Sequence, residues 1–109
     1  MKQYFSGLLV VAFVAIAIPS AFASSRSQRE HGAQVFNANG CTHCHMMGNT
    51  GGNKGPNLSG IGRAATPDAM RKQITEGGKG MPAFGEVLQP NELDDLIAYL
   101  RSCKAKPKK

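Results

Sequence analysis

Leu93, Leu96, Ile97 and Leu100 recur at i, i+3, i+4 and i+7, and Asp94 and Asp95 fall on the other side of that repeat. The spacing predicts an amphipathic helix with one buried face. Its start is written just upstream. Pro90 suits the first helical position, Gln89 is a weak N-cap, and Glu92 can reach back to the Gln89 backbone as in a capping box. Leu88 and Leu93 flank the cap as a hydrophobic staple. Arg101 and Lys104 suit the negative end of the helix.

Two shorter segments carry the same kind of signal. Thr66-Pro67-Asp68 combines an N-cap, a first-position proline and an acid in the first turn, so a helix should follow, with Met70 and Ile74 facing inward. Gly77-Gly78 should stop it. Further upstream, Ser27 and Glu30 read as the capping box of a helix running to about Asn37, with Ala33, Val35 and Phe36 on its apolar side. Gly32 allows another element to come close, and Asn39-Gly40 ends the run. Between the helices lie two glycine-rich stretches. One, from Met46 to Ala65, is expected to be loop anchored by Leu58 and Ile61. The other, "GGKGMPAFGE", reads as a flexible loop. No segment alternates with period 2. The expected fold is all-α: one domain of three to four helices, with long loops wrapped around an object the chain does not supply.

The N-terminus stands apart. Lys2, an apolar run from Leu8 to Ile18, Pro19 and then Ala21-Phe22-Ala23 form a signal peptide with a small-x-small cleavage site. The run is shorter than the ~20 residues a spanning helix needs. Residues 1–23 are therefore expected to be removed, leaving an exported domain at residues 24–103 and a basic tail at residues 104–109. The destination is the periplasm, without stable membrane insertion.

Composition and charge narrow the class. A mature chain this short buries a marginal core and needs a staple. With 3 cysteines, 13 glycines and no tryptophan, that staple points to a cofactor. The net charge of +6 suggests nucleic acid at first sight. However, Lys2 leaves with the signal peptide, and Lys104, Lys106, Lys108 and Lys109 sit in the tail. The remaining body is nearly neutral, which argues against nucleic acid as a partner. The tail is expected to be disordered, serving either to solubilise the chain or to steer an acidic partner.

The chemistry concentrates in "CTHCH", Cys41 to His45. C-x-x-C-H is the attachment signature of c-type haem. Two thiols three positions apart can each add to one vinyl group, and the histidine that follows puts a nitrogen on the iron. Other readings fit less well. A redox disulfide of the thioredoxin kind needs a βαβ context. Zinc could take Cys41, Cys44, His45 and either His31 or His43, but structural zinc usually draws on a second cluster, and Cys103 is solitary. A plain disulfide would leave His45 unexplained. For a sixth iron ligand, Met46 and Met47 follow His45 too closely to reach the opposite face of the ring, and Met70 belongs to a helix core. Met81, in its Gly-flanked loop before Pro82, is the candidate. His31 and His43 are expected to be exposed.

From about Ser27 to Cys103 the chain resembles a small bacterial class I cytochrome c, in the first helix with Gly32 and Phe36, in "CTHCH", "GPNL" and "GKGMPAF", and in "LDDLIAYL". The resemblance implies the cytochrome c fold around one covalently attached haem. It implies thioether bonds at Cys41 and Cys44, with His45 and Met81 as the axial iron ligands. It further implies that the Pro56 carbonyl accepts the His45 Nδ1–H bond, and that Gly32 and Phe36 meet the last helix near Leu96 and Tyr99. Cys103 and the lysine tail depart from the pattern; Cys103 is expected to be a small buried group at a helix end, with a disulfide to another chain or a redox thiol as alternatives.

The expected function is electron transport, not catalysis. A His–Met iron has no open position for substrate, and methionine raises the potential. The protein should be a monomer that meets redox protein partners briefly, as electron donor and acceptor, through an exposed haem edge. Lys54, Arg63, Lys72 and Lys79 either orient that docking or form an ordinary solvated surface. The alternatives are a haem-c subunit of a larger oxidoreductase complex and a sensor with five-coordinate iron.

Overall fold

In a computed structural model the chain is described from residue 21 to residue 106, together with Ala12 and Val14. Most of the expected signal peptide, and the last three residues of the tail, lie outside the described residues. The order of elements is α1 (Ala21–Ala38), a 3-10 turn (Cys41–His43), β1 (Met46–Met47), β2 (Thr50–Gly51), α2 (Ile61–Ala64), α3 (Pro67–Glu76) and α4 (Pro90–Ser102). The fold is helical, as the periodicity predicts. Among the described residues no helix is long and apolar enough to cross a membrane.

α3 and α4 begin where their cap residues are written. The Thr66 hydroxyl accepts from the Ala69 backbone N–H at 3.2 Å, and the Glu92 carboxylate accepts from the Gln89 N–H at 2.8 Å. α1 does not begin at Ser27. It starts six residues earlier, at Ala21, so Ser27 lies inside it and forms no cap. The stretch Ala21 to Arg26 contains no glycine or proline to interrupt the helix. Arg26 pairs with Glu30 at 2.8 Å, and Arg29 donates to the Ser25 hydroxyl at 3.0 Å; both are i, i+4 contacts that support this stretch. The end falls as expected: Gly40 adopts a left-handed φ of 68°, which favours glycine.

The core is a single cluster of Val35, Phe36, Met70, Ile74, Leu88, Leu96, Ile97 and Leu100. It forms where α1 crosses α4. Gly32 makes that crossing possible. A Cβ at this position would overlap the Asp95 carbonyl oxygen and sit 2.7 Å from the Tyr99 Cβ. Phe36 then meets Tyr99 edge to face, with ring centroids 5.7 Å apart.

Three stretches expected to be loose are held. The loop after Met46 contains a two-residue antiparallel ladder, Met46 opposite Gly51 and Met47 opposite Thr50, and the single helical turn α2. The "GGKGMPAFGE" loop is a tight turn, not a flexible one. Gly78 and Met81 exchange backbone hydrogen bonds at 2.9 and 3.1 Å, and Phe84 N–H donates to the Ile74 carbonyl at 2.9 Å. The expected disordered tail is ordered at its start. Gly62 N–H donates to Cys103 O, Ala105 N–H to Ser59 O and Arg63 Nε to Lys104 O, all at 2.8 to 2.9 Å.

Candidate haem site

The C-x-x-C-H segment folds into one turn closed by its own backbone. His45 N–H donates to Cys41 O at 3.0 Å, and Cys44 N–H to the same oxygen at 3.3 Å. The glycine-rich segment that follows is stitched onto this turn. Gly52 N–H reaches Thr42 O, Gly55 N–H reaches Cys44 O, and Leu58 N–H reaches Met46 O, at 2.8 to 2.9 Å. The chain must pass close to His45 to make these bonds. A Cβ on Gly55 would lie 2.5 Å from the imidazole Cε1, so only glycine leaves room for the ring.

That routing also sets the state of the imidazole. The His45 Nδ1 is 2.7 Å from the Pro56 carbonyl oxygen. A carbonyl only accepts, so Nδ1 carries a proton and Nε2 is the nitrogen available to a metal. This is the tautomer a metal-bound imidazole requires.

His45 and Cys41 line an apolar cleft, and Met81 lines it too. Its other walls include Phe36, Leu58, Ile74, Phe84, Leu96 and Leu100. Hydrocarbon walls, an imidazole with a free nitrogen, a thioether and a thiol fit an apolar macrocycle that carries a metal. Cys41 and Cys44 are both free thiols. Burial pushes the Cys41 thiol up from its ordinary range, with a smaller push from Cys44, against a backbone hydrogen bond that lowers it. Among the described residues no three of His, Cys, Asp and Glu gather around a common point. The zinc alternative therefore has no cluster to bind it.

The other sulfur and imidazole groups fall elsewhere. Met46 and Met47 form β1, and Met70 is in the core at 5% exposure. His43 is exposed. His31 is not simply exposed as expected: it is half-buried beside the α1–α4 crossing, with Nδ1 2.7 Å from the Asp95 carboxylate. Cys103 is half-buried at the end of α4, and its thiol donates to the Tyr99 carbonyl at 3.4 Å. Burial raises both the Cys103 thiol and the Tyr99 phenol. Lys54, Lys72 and Lys79 are exposed; Arg63 is exposed as well, but it is engaged with the Lys104 carbonyl.

Two polar residues near the cleft escape sequence reasoning. Gln73 donates through Nε2 to the Gly77 carbonyl at 3.2 Å and to the Met81 sulfur at 3.8 Å. Its signal is positional: it lies beside Ile74 and three residues after Met70, on the flank of the buried face of α3. Asn39 lines the cleft and ties its amide back to Val35 O at 2.8 Å.

Comparison with known proteins gives the family and the fold. Residues 27–100 match the family described as "Cytochrome C oxidase, cbb3-type, subunit III". Cytochrome c6 of Gloeothece citriformis is 38% identical over 74 residues, covering 64% of this chain and 66% of that protein. Cytochrome c6 of Nostoc sp. is 32% identical over 106 residues, covering 92% of each. The cbb3-type cytochrome c oxidase subunit FixP of Sinorhizobium medicae is 32% identical over 88 residues, which cover 70% of this chain but 30% of that larger protein. Among solved structures, the c-type cytochrome SorU from Sinorhizobium meliloti is similar with a TM-score of 0.62 and 25% identity, over 75% of this chain and 99% of that one. The chain therefore belongs to the small monohaem class I c-type cytochromes, electron-transfer proteins with one covalently bound haem c.

Proposed function

We propose that this cytochrome is an exported, soluble carrier of single electrons between respiratory or dehydrogenase partners in the periplasm, and not an enzyme. In this reading residues 1–23 are its signal peptide and residues 24–103 its functional domain. Cys41 and Cys44 would hold haem c through thioethers, and His45 and Met81 would hold its iron. When bound, the haem supplies a one-electron ferric/ferrous couple. The chain's residues do the rest. Pro56 fixes the His45 tautomer and raises the basicity of the imidazole. Gly55 leaves room for the ring, and the hydrocarbon walls of the cleft exclude water.

One observation carries the reading above the others. His45 and Met81, far apart in sequence, line the same apolar cleft. Substitution tests it directly. Met81→Ala should alter the ferric spectrum of the holoprotein and lower its reduction potential, because methionine ligation raises the potential. A ferric spectrum and potential identical to wild type would exclude Met81 as a ligand.

A second reading is favoured by the family match and by FixP, whose names are those of oxidase subunits. In that reading the chain is a haem-c electron-transfer subunit of a larger oxidoreductase complex. Gel filtration of a native extract separates the two: a carrier elutes at monomer size, a subunit with its complex.

A further inference from the structure

A second cleft opens between α1 and the end of α4, and it shares no lining residue with the haem cleft. Its volume is ≈ 280 Å³, near the lower end of small-ligand sites (~300 Å³). Its polar lining is Ser25, Gln28 and Arg29 from α1 with Arg101, Ser102 and Lys104 from α4 and the segment after it. Three cations converge there, and among the described residues no carboxylate lines the space.

The neighbouring acids are already engaged. On α1, Glu30 pairs with Arg26 at 2.8 Å. On α4, Asp94 pairs with Arg71 and Asp95 with His31, both at 2.7 Å, while Glu92 caps the helix start. Arg29 spends one nitrogen on the Ser25 hydroxyl at 3.0 Å, which leaves the rest of its fork available. The side chains of Arg101 and Lys104 make no hydrogen bond or ion pair among the described residues. The carbonyl end of α4 lies at the same place and would repel an anion. However, its Tyr99 carbonyl already accepts from the Ser102 hydroxyl at 2.6 Å and from the Cys103 thiol at 3.4 Å.

Lys104 is also held in place. Its carbonyl accepts from Arg63, and the residues on either side are tied by their backbones to Gly62 and Ser59. A cation in a loose tail gains little from a partner after the cost of ordering it, whereas here the backbone part of that cost is already met.

We propose that this cleft is a binding site for a phosphate-type oxyanion, with Arg29, Arg101 and Lys104 as its charged ligands and the Gln28 amide as a neutral donor. Guanidinium groups match the oxygens of such an ion in pairs, and charge-assisted bonds of this kind are the strong ones. The source is either free phosphate or the phosphate of an anionic lipid headgroup.

The test uses the holoprotein, followed by amide chemical shifts and by the haem absorption spectrum as a check on folding. Inorganic phosphate is titrated against chloride at matched ionic strength, with sulfate as a second tetrahedral anion. The expected result is saturable shifts confined to residues 25–29 and 98–105, weakened about tenfold or more in R101Q/K104Q. In a parallel arm, co-sedimentation with phosphatidylglycerol vesicles but not phosphatidylcholine vesicles, lost in the same variant, assigns the site to a lipid headgroup. A response to inorganic phosphate without vesicle binding assigns it to the free ion. Shifts spread evenly over all surface lysines, or shifts undiminished in the variant, overturn the proposal.

Discussion

Gly55→Ala tests how the backbone controls His45, the proposed iron ligand. The new Cβ would lie 2.5 Å from the His45 Cε1, 2.8 Å from Nδ1 and 3.1 Å from Nε2. Carbon atoms in ordinary contact stay about 3.5 to 4.0 Å apart, so the ring must move by roughly 1 Å. The ring is anchored by its 2.7 Å bond to the Pro56 carbonyl, and a displacement of that size takes the pair beyond the ~3.2 Å range of an N–H···O bond. Losing the bond costs about 0.5 to 1.5 kcal/mol. It also makes the imidazole a poorer donor, which destabilises the ferric state more than the ferrous one. If about 1 kcal/mol of the loss falls on the ferric state, the one-electron potential rises by about 40 mV. Spectroelectrochemical titration and a thermal melt of the holoprotein read the two effects. Gly48→Ala is the control. Gly48 has a φ of 63° with nothing within 4 Å of a Cβ, so alanine there should cost about 1 kcal/mol of backbone strain and leave the potential alone. A Gly55→Ala protein with an unchanged potential would refute the proposed coupling of Gly55, His45, Pro56 and iron.

The other predictions concern packing, the thioether and the alkaline limb of stability. Gly32→Ala should destabilise the fold by about 1 to 3 kcal/mol in a denaturant melt, because overpacking at the α1–α4 crossing outweighs the ~1 kcal/mol gain in helix propensity. Gln73→Leu removes the donor 3.8 Å from the Met81 sulfur, so it should lower the potential by about 20 mV, as expected for a weak bond of ~0.5 kcal/mol. Burial raises Cys103 above its ordinary value of 9.0 in the folded chain. Its contribution to stability is therefore complete below about pH 9 and lost as pH rises through the raised value. Cys103→Ala should flatten the alkaline loss of stability in urea melts compared at neutral and alkaline pH, and an unchanged slope would remove Cys103 as its source.

Side-chain signals made α3 and α4 legible in the sequence. Thr66, Pro67, Gln89, Pro90 and Glu92 mark the starts, and the leucine spacing marks the buried face. The crossing at Gly32 followed from a resemblance, because a glycine in a helix does not name the helix it meets. Features that depend on backbone bonds between distant segments were not legible. Ser27 reads as a cap, yet the residues before it are as good at helix as those after it. The Met46–Met47 and Thr50–Gly51 ladder is too short to carry a period. The hold on Lys104 and Ala105 comes from Ser59, Gly62 and Arg63, and nothing in a run of lysines signals it.

The same distinction explains how so small a chain supports a site. Of the eight core residues, five (Phe36, Ile74, Leu88, Leu96 and Leu100) also line the haem cleft. The core and the binding surface are thus largely the same side chains, and among the described residues there is no large hydrophobic interior separate from the cleft. A domain built this way cannot spend side chains on positioning loops. It uses the backbone instead: the Gly52, Gly55 and Leu58 amides fix the segment around His45, and the Gly78–Met81 pair fixes the turn that brings Met81 to the cleft. Glycine serves these segments in two ways: at Gly52 and Gly55 a Cβ would meet a backbone oxygen or the His45 ring within 2.5 Å, whereas Gly78 and Gly80 are open but hold positive φ angles of 112° and 86°. The flexibility suggested by "GGNKGPN" and "GGKGMP" in the sequence is the freedom that lets these segments become rigid around the site.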